Sequence, residues 1–210
     1  MNQLFPSVEE YVRNLPANVS LPAKRQEMLK EISHYIYDKH QQGQMAELVF
    51  ICTHNSRRSH LAQLWAAVAA HYHGIDDVLT FSGGTEVTAF HPNAVAAMER
   101  AGMEIENAGG KNPIYVVRFS KNHHGCQVFS KKYNDKYNPN SGFCAVMTCS
   151  DADEACPVVL GMKKRVSLTY EDPKIADGTP DEELVYDKRC QQIAIEMFYM
   201  MGFVSTLSVH

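Results

Sequence analysis

Cys52, Arg58 and Ser59 stand in one short run, Cys52-Thr53-His54-Asn55-Ser56-Arg57-Arg58-Ser59, whose spacing suits capture of an oxyanion by a nucleophile. A cysteine at the first position of a loop that leads into a helix faces the free N–H groups of the loop and of the first helical turn. The helix dipole strengthens the positive field there. Such a field favours the thiolate, so Cys52 is expected to be a nucleophile at neutral pH. Arg58 adds a planar, permanently charged fork that can grip two oxygens of a tetrahedral anion. Ser59, at the helix start, can donate a hydrogen bond to the thiolate. Thr53, His54, Asn55, Ser56, Arg57, Arg58 and Ser59 together form the expected oxyanion cradle. The plainer reading, a small buried cysteine beside a solvated Arg57–Arg58 pair, is disfavoured by where the run falls in the chain.

Two further places could take part in the same chemistry. Cys149 and Cys156 frame the stretch Cys149-Ser150-Asp151-Ala152-Asp153-Glu154-Ala155-Cys156-Pro157, with an interval too long for a zinc knuckle. The acidic stretch between them can form a short helical turn that unwinds to bring the thiols together; two unrelated cysteines are the competing reading. Glu171-Asp172-Pro173 is either an ordinary turn or the site of an acid, Asp172, that hands a proton to a leaving oxygen. His123, His124 and Cys126 lack a fourth ligand at recognisable spacing and read as a solvated hairpin tip. Cys144 and Cys190 read as core filler. Gly83-Gly84 reads as a turn, lacking the third glycine and the lysine of a phosphate loop. No resident cofactor and no metal site is expected.

These residues must be positioned by an alternation of strands and helices. Glu47 to Ile51, Val78 to Ser82, Phe143 to Thr148 and Lys164 to Thr169 read as strands, and Ser59 to Tyr72, Pro92 to Ala101 and Asp181 to Met201 as helices. The last helix has Leu184, Ile193, Ile195, Met197 and Phe198 on its apolar side. Strands separated by helices imply a parallel sheet covered on both faces. Ligands in such sheets bind at the carboxyl ends of the strands, where Cys52, Cys149 and Asp172 fall. Residues 1–45 read as an N-terminal helical extension, with Ser7-Val8-Glu9-Glu10 as a capping box and Ser20-Leu21-Pro22 opening a second helix. Residues 46–210 form the main domain. Within it, Ile114 to Phe119 and Gln127 to Lys132 read as a β-hairpin inserted at about 112–140.

Composition narrows the class. The chain has 210 residues, 45% apolar and 21% charged, with a formal net charge of −4, which is ordinary for one globular domain with an appendage. That charge, with no basic run, argues against a nucleic-acid partner. No apolar stretch is long enough to span a membrane, and the N-terminus lacks the order of a signal peptide. A cytoplasmic protein with resting thiols is expected, any disulfide being transient, catalytic or redox-sensing.

Taken together, the Cys52–Ser59 run, Ser82-Gly83-Gly84-Thr85-Glu86, the Cys149–Pro157 stretch and Glu171-Asp172-Pro173 resemble the thioredoxin-coupled arsenate reductases. These share the low-molecular-weight protein tyrosine phosphatase fold. The resemblance covers roughly residues 46–203; its first and last pieces are shared with the phosphatases, while the cysteine pair is specific to the reductases. It implies a three-layer α/β sandwich with a central parallel four-stranded sheet. It also implies a three-cysteine relay: Cys52 attacks arsenate, Asp172 protonates the leaving hydroxyl, Cys149 attacks Cys52, and Cys156 attacks Cys149. Thioredoxin then reduces the Cys149–Cys156 disulfide. Two departures stand out. Arg57 occupies a position where the family often has a second loop cysteine, and Gln63 one where a glutamate commonly helps to hold a structural cation. The alternatives are a phosphomonoesterase working through a Cys52 cysteinyl-phosphate, with Asp172 as acid and then base, and a redox-sensing anion-binding module. Against the former, Asp172-Pro173 is followed by Lys174-Ile175 in place of the aromatic pair of the eukaryotic phosphatases.

Overall fold

The computed structural model describes residues 3–16, 20–155 and 158–207. The four expected strands are present as β1 (Ala46–Cys52), β2 (Val78–Gly84), β6 (Phe143–Met147) and β7 (Met162–Ser167). They form one sheet in the order β2-β1-β6-β7, each pair parallel. Alternation along the central strands separates two cores. Leu48, Phe50, Cys144 and Val146 face a large apolar cluster, and Val49, Ile51, Ala145 and Met147 a smaller one.

The large cluster is covered by α1 (Pro6–Arg13), α2 (Ala23–Gln41), α3 (Arg58–His73), α4 (Pro92–Arg100) and α6 (Glu182–Leu207). The other face is covered more lightly, by α5 (Ser150–Ala155), Val159 and Tyr133. Every residue of α3 from Arg58 to His71 is buried, which suits its run of alanines: small side chains let neighbouring elements approach closely from all sides. Gly74 closes α3 in the left-handed conformation at φ 68°, as helix ends commonly do. Tyr11 of α1 stacks on Trp65 of α3 at 5.3 Å, so the N-terminal helices share the core of the sheet. Cys144 and Cys190 are buried in that core.

Several local expectations are corrected. The capping box does not form: α1 starts at Pro6 after Phe5, without a side-chain cap. Ser7 Oγ instead donates to Gly102 O at 2.9 Å. Leu184, assigned to the apolar side of α6, is exposed. Gly83 and Gly84 are not a turn but the last residues of β2, paired with Ile51 and Cys52.

A second, antiparallel sheet joins β3 (Glu104–Asn107), β4 (Tyr115–Arg118) and β5 (Cys126–Val128). The hairpin β4–β5 was expected; β3 was not, because its Glu-Ile-Glu-Asn text is short and mostly exposed. Among the described residues, no helix is long and apolar enough to cross a membrane.

Candidate active site

Cys52 ends the central strand β1 and is 3% exposed. Its Sγ lies 3.1 Å from Ser59 Oγ. The direction of that contact follows from the next bonds out. Asn55 Oδ1 accepts the backbone N–H of Lys131 at 2.9 Å, which fixes the orientation of the amide, because a backbone N–H can only donate. Asn55 Nδ2 therefore points to Ser59 Oγ and donates to it at 2.9 Å. With that lone pair occupied, the Ser59 hydroxyl hydrogen is free to point at the sulfur. Asn55 takes a left-handed backbone, φ 45°, a conformation that asparagine tolerates better than most side chains.

The loop's carbonyls are turned outward onto scaffold donors. Thr53 O accepts from Glu86 N at 2.8 Å and Thr85 Oγ1 at 3.2 Å. His54 O accepts from Ser130 Oγ at 2.9 Å and Thr88 Oγ1 at 3.0 Å. Ser56 O accepts from His91 N at 2.9 Å. Among the described residues no acceptor is found for the N–H groups of Thr53 to Ser59. Those N–H groups, next to a helix start, are the donors an anion needs. Gly84 makes this fit possible. A Cβ there would lie 2.6 Å from Thr53 O and 2.8 Å from Asn55 N.

Arg58 is 7% exposed. Its Nη1 donates to Tyr170 O at 2.9 Å and its Nη2 to Asp172 Oδ2 at 2.5 Å. Arg58 Nε is buried without a partner among the described residues, and a buried unsatisfied donor beside the Cys52 loop is suited to a ligand acceptor. Asp172 also caps the following 3-10 turn, Pro173–Ala176, by accepting from Lys174 N. An oxyanion reaching Arg58 competes with Asp172 for the same guanidinium.

The Arg57 side chain, by contrast, has two protein partners. Its Nε donates to Tyr186 OH at 2.5 Å and its Nη2 to Asp177 Oδ2 at 2.8 Å. Tyr186 OH donates in turn to Asp177 Oδ1 at 2.7 Å. Arg57 thus ties the segment that carries Asp172 to α6, with its Nε and Nη2 engaged there. The nearby His54 pairs at 3.4 Å with Glu86, both well exposed.

Cys149 follows β6 and is fully buried. Thr148 bonds through both its N–H and its Oγ1 to Ile51 O, which holds the end of β6 against the end of β1. As a result Cys149 Sγ lies 3.4 Å from Thr53 Oγ1, the residue next to Cys52. The α5 helix begins at once, with Ala152 N directed at Cys149 Sγ at 3.4 Å. That helix is pinned to β7: Asp153 Oδ1 accepts from Arg165 Nη2 at 2.5 Å and Ser167 Oγ at 2.7 Å. Cys156, the third thiol of the expected relay, lies outside the described residues, as does Pro157.

Gln63, singled out above for the absence of a glutamate, donates through Nε2 to Thr80 O at 3.1 Å. It supplies no charge to a cation, and among the described residues no cluster of three or more histidine, cysteine, aspartate or glutamate side chains could hold one. His60, behind the loop, is fully buried, bonds Ser82 through Nδ1, and is pushed down to a pKa of about 3 by burial. It is a neutral packing residue.

Sequence reading missed Lys131, Ser130, Tyr170, Asp177 and Tyr186 as supports of the site. None carries a local signal, since each acts across a long chain separation.

No family model matches the chain. Among solved structures, a YwlE mutant from Bacillus subtilis superposes with a TM-score of 0.52 at 15% identity, covering 75% of this chain and 97% of that one. A low-molecular-weight protein tyrosine phosphatase from T. tengcongensis gives a TM-score of 0.50 at 15% identity over 75% and 99%. The fold is therefore that of the low-molecular-weight phosphatases, with a cysteine-headed loop at the carboxyl end of the central strand. Sequence goes further. The arsenate reductase of Bacillus subtilis (strain 168) is 30% identical over 142 residues, 68% of this chain and 84% of that protein. Arsenate reductase 2 of Staphylococcus haemolyticus is 28% identical over 151 residues, 72% and 94% of the two chains. The chain belongs to the arsenate reductase family.

Proposed function

We propose that this protein is a thioredoxin-coupled reductase of arsenate that works by a relay of three thiols. The observation that carries this reading beyond phosphatase chemistry is the second sulfur at the loop. Cys149 Sγ lies 3.4 Å from Thr53 Oγ1, where a hydrolase needs water and a reductase needs a thiol.

Arsenate binds in the loop, its oxygens meeting the free N–H groups of Thr53 to Ser59 and the Arg58 guanidinium. Cys52 attacks arsenic, a sulfur–arsenic bond forms, and one hydroxyl leaves as water with a proton from Asp172. Cys149 then attacks Cys52 Sγ. The sulfur–sulfur bond forms as the sulfur–arsenic bond breaks, and its electron pair stays on arsenic, which departs as arsenite. Cys156 attacks Cys149, releasing Cys52 as thiolate and moving the disulfide to Cys149–Cys156. Two electrons from the thioredoxin dithiol restore the thiols. Arg57, Asp177 and Tyr186 position the segment bearing Asp172. The chemistry belongs to the compartment in which thiols are kept reduced, the cytoplasm.

The test couples arsenate to NADPH oxidation through thioredoxin and its reductase, and runs hydrolysis of a generic aryl phosphate in parallel. Cys149→Ser and Cys156→Ser are each expected to abolish multiple turnover with arsenate. Either substitution leaving arsenate turnover intact overturns the relay. Inert arsenate combined with rapid aryl phosphate cleavage makes the protein a phosphomonoesterase.

A further inference from the structure

On the far side of β2 from the Cys52 loop, a cavity of about 560 Å³ opens between α3, the β2 edge and the β4–β5 hairpin. It contains no residue of the anion loop and plays no part in the relay. Its size is that of an ordinary small-molecule site.

Two features of its lining point to a ligand. The first is a cation without a counterion. Lys131 lines the cavity and is only 4% exposed, and among the described residues its ammonium forms neither a hydrogen bond nor an ion pair. It lies over the Phe129 ring at 4.8 Å. Burial pulls its pKa down to about 8, with Asp135 acting weakly the other way, so the group is still charged at neutral pH. A largely buried ammonium that reaches solvent only through the cavity gains from an anion placed there. His71, His123, His124 and Asp76 also line the cavity. Burial lowers the pKa of both His71 and His123, which favours their neutral forms and leaves Lys131 as the cation best placed for an anion.

The second feature is apolar surface with nothing on it. Leu79, Ile114 and Tyr137 line this one cavity and are 42%, 49% and 61% exposed. Phe81 and Phe129 also line it, and Tyr137 meets Phe129 edge-on at 5.5 Å. Exposed large apolar groups that converge on one concavity mark a binding site more often than a bare surface.

We propose that this cavity binds a small aromatic or branched aliphatic monocarboxylate, its carboxylate paired with the Lys131 ammonium and its apolar body against Phe81, Phe129 and the rim of Leu79, Ile114 and Tyr137. The site is separate from the oxyanion loop and independent of the reductase reading. A doubly charged, compact oxyanion such as phosphate matches the cation but leaves the apolar walls uncovered, so it belongs in the loop.

The test is calorimetric titration of the reduced full chain with phenylacetate, its neutral isostere phenylacetamide, and inorganic phosphate as competitor. Phenylacetate is expected to bind with a Kd below about 1 mM and the amide at least about tenfold more weakly. Phosphate at saturating concentration is expected not to displace it. Lys131→Met should remove the preference for carboxylate over amide. Ile114→Asp, an exposed change at the rim that spares the core, should weaken phenylacetate by about tenfold and keeps the test open if Lys131→Met fails to fold. Equal binding of acid and amide, displacement by phosphate, or no phenylacetate binding below about 10 mM overturns the proposal.

Discussion

The side chain of Asn55 is read in both directions: its Oδ1 takes the N–H of Lys131 at 2.9 Å and its Nδ2 gives to Ser59 Oγ at 2.9 Å. The backbone of one segment thereby sets the direction of a hydroxyl that faces the Cys52 sulfur. Asn55→Asp keeps the first bond and reverses the second, so Ser59 turns its hydrogen to the carboxylate and away from Cys52. Hydrogen bonds to charged groups contribute about 1.5–3 kcal/mol. Both Asn55→Asp and Ser59→Ala should slow iodoacetamide alkylation of Cys52 at pH 7 by about tenfold with the fold retained, as judged by circular dichroism.

Arg58 makes three demands on its guanidinium: Tyr170 O, Asp172 and an anion at the free Nε. A lysine cannot meet them, because a single ammonium replaces a planar fork. Arg58→Lys is expected to lower kcat/KM for arsenate by about a hundredfold, or about 3 kcal/mol. Single-turnover formation of the first adduct is the measurement; an unchanged rate would mean that Arg58 only holds Tyr170 and Asp172.

Gly84 has no room for a methyl group, which would meet Thr53 O at 2.6 Å. Backbone, unlike a long side chain, cannot swing aside, so Gly84→Ala should shift the loop and leave the sheet. The expected result is loss of phosphate protection of Cys52 against alkylation, with a thermal midpoint lowered by only a few degrees.

The contact of α2 with α6 rests partly on a buried ion pair. Arg25 binds both oxygens of Glu196 at 2.9 and 2.8 Å, and Tyr170 OH gives a third bond at 2.7 Å. The Glu196 side chain is 2% exposed. Removing one partner of such a pair strands the other, at a cost of about 3–5 kcal/mol. Glu196→Ala is therefore expected to unfold at much lower urea concentration than the parent. Because the Tyr170 carbonyl also holds Arg58, activity should fall before the protein unfolds.

His60 makes stability depend on pH. Its folded pKa is about 3 against an ordinary 6.5, so between those values the unfolded chain carries a proton that the folded one refuses. Stability then rises with pH across this window, is fully present above about 6.5, and is lost as the pH falls. One proton contributes about 1.4 kcal/mol per pH unit. His60→Phe should flatten the slope of unfolding free energy against pH below 6 by about that amount, measured by urea titration at several pH values.

What sequence could and could not supply divides along chain separation. The strand–loop–helix around Cys52 was legible because its periodicities and its chemistry sit within one short stretch. So were β6 with Cys149 behind it and the β4–β5 hairpin. The Gly83–Gly84 pair was misread as a turn because only the approach of Tyr133 and the anion loop explains why β2 ends without side chains. The partners of the Arg57 side chain, Asp177 and Tyr186, could not be read because they lie more than a hundred residues away. The Arg25–Glu196 pair was invisible for the same reason: neither residue departs from the polar side of an ordinary helix until the two helices meet.

The bonds from Ser130 and Lys131 to His54 and Asn55 each span 76 residues. They also set an order in time. Closing a loop of that length precedes any reward from the contacts it makes, and contacts of large separation slow folding. The β1–β2 pair and the α3 helix between them lie close together in sequence and can form while the anion loop is still unclamped. A chain emerging from the ribosome has Cys52 long before it has Ser130 and Lys131, the residues that clamp its loop. In terms of assembly, the cradle is a product of the tertiary fold and not of the strand–loop–helix unit alone.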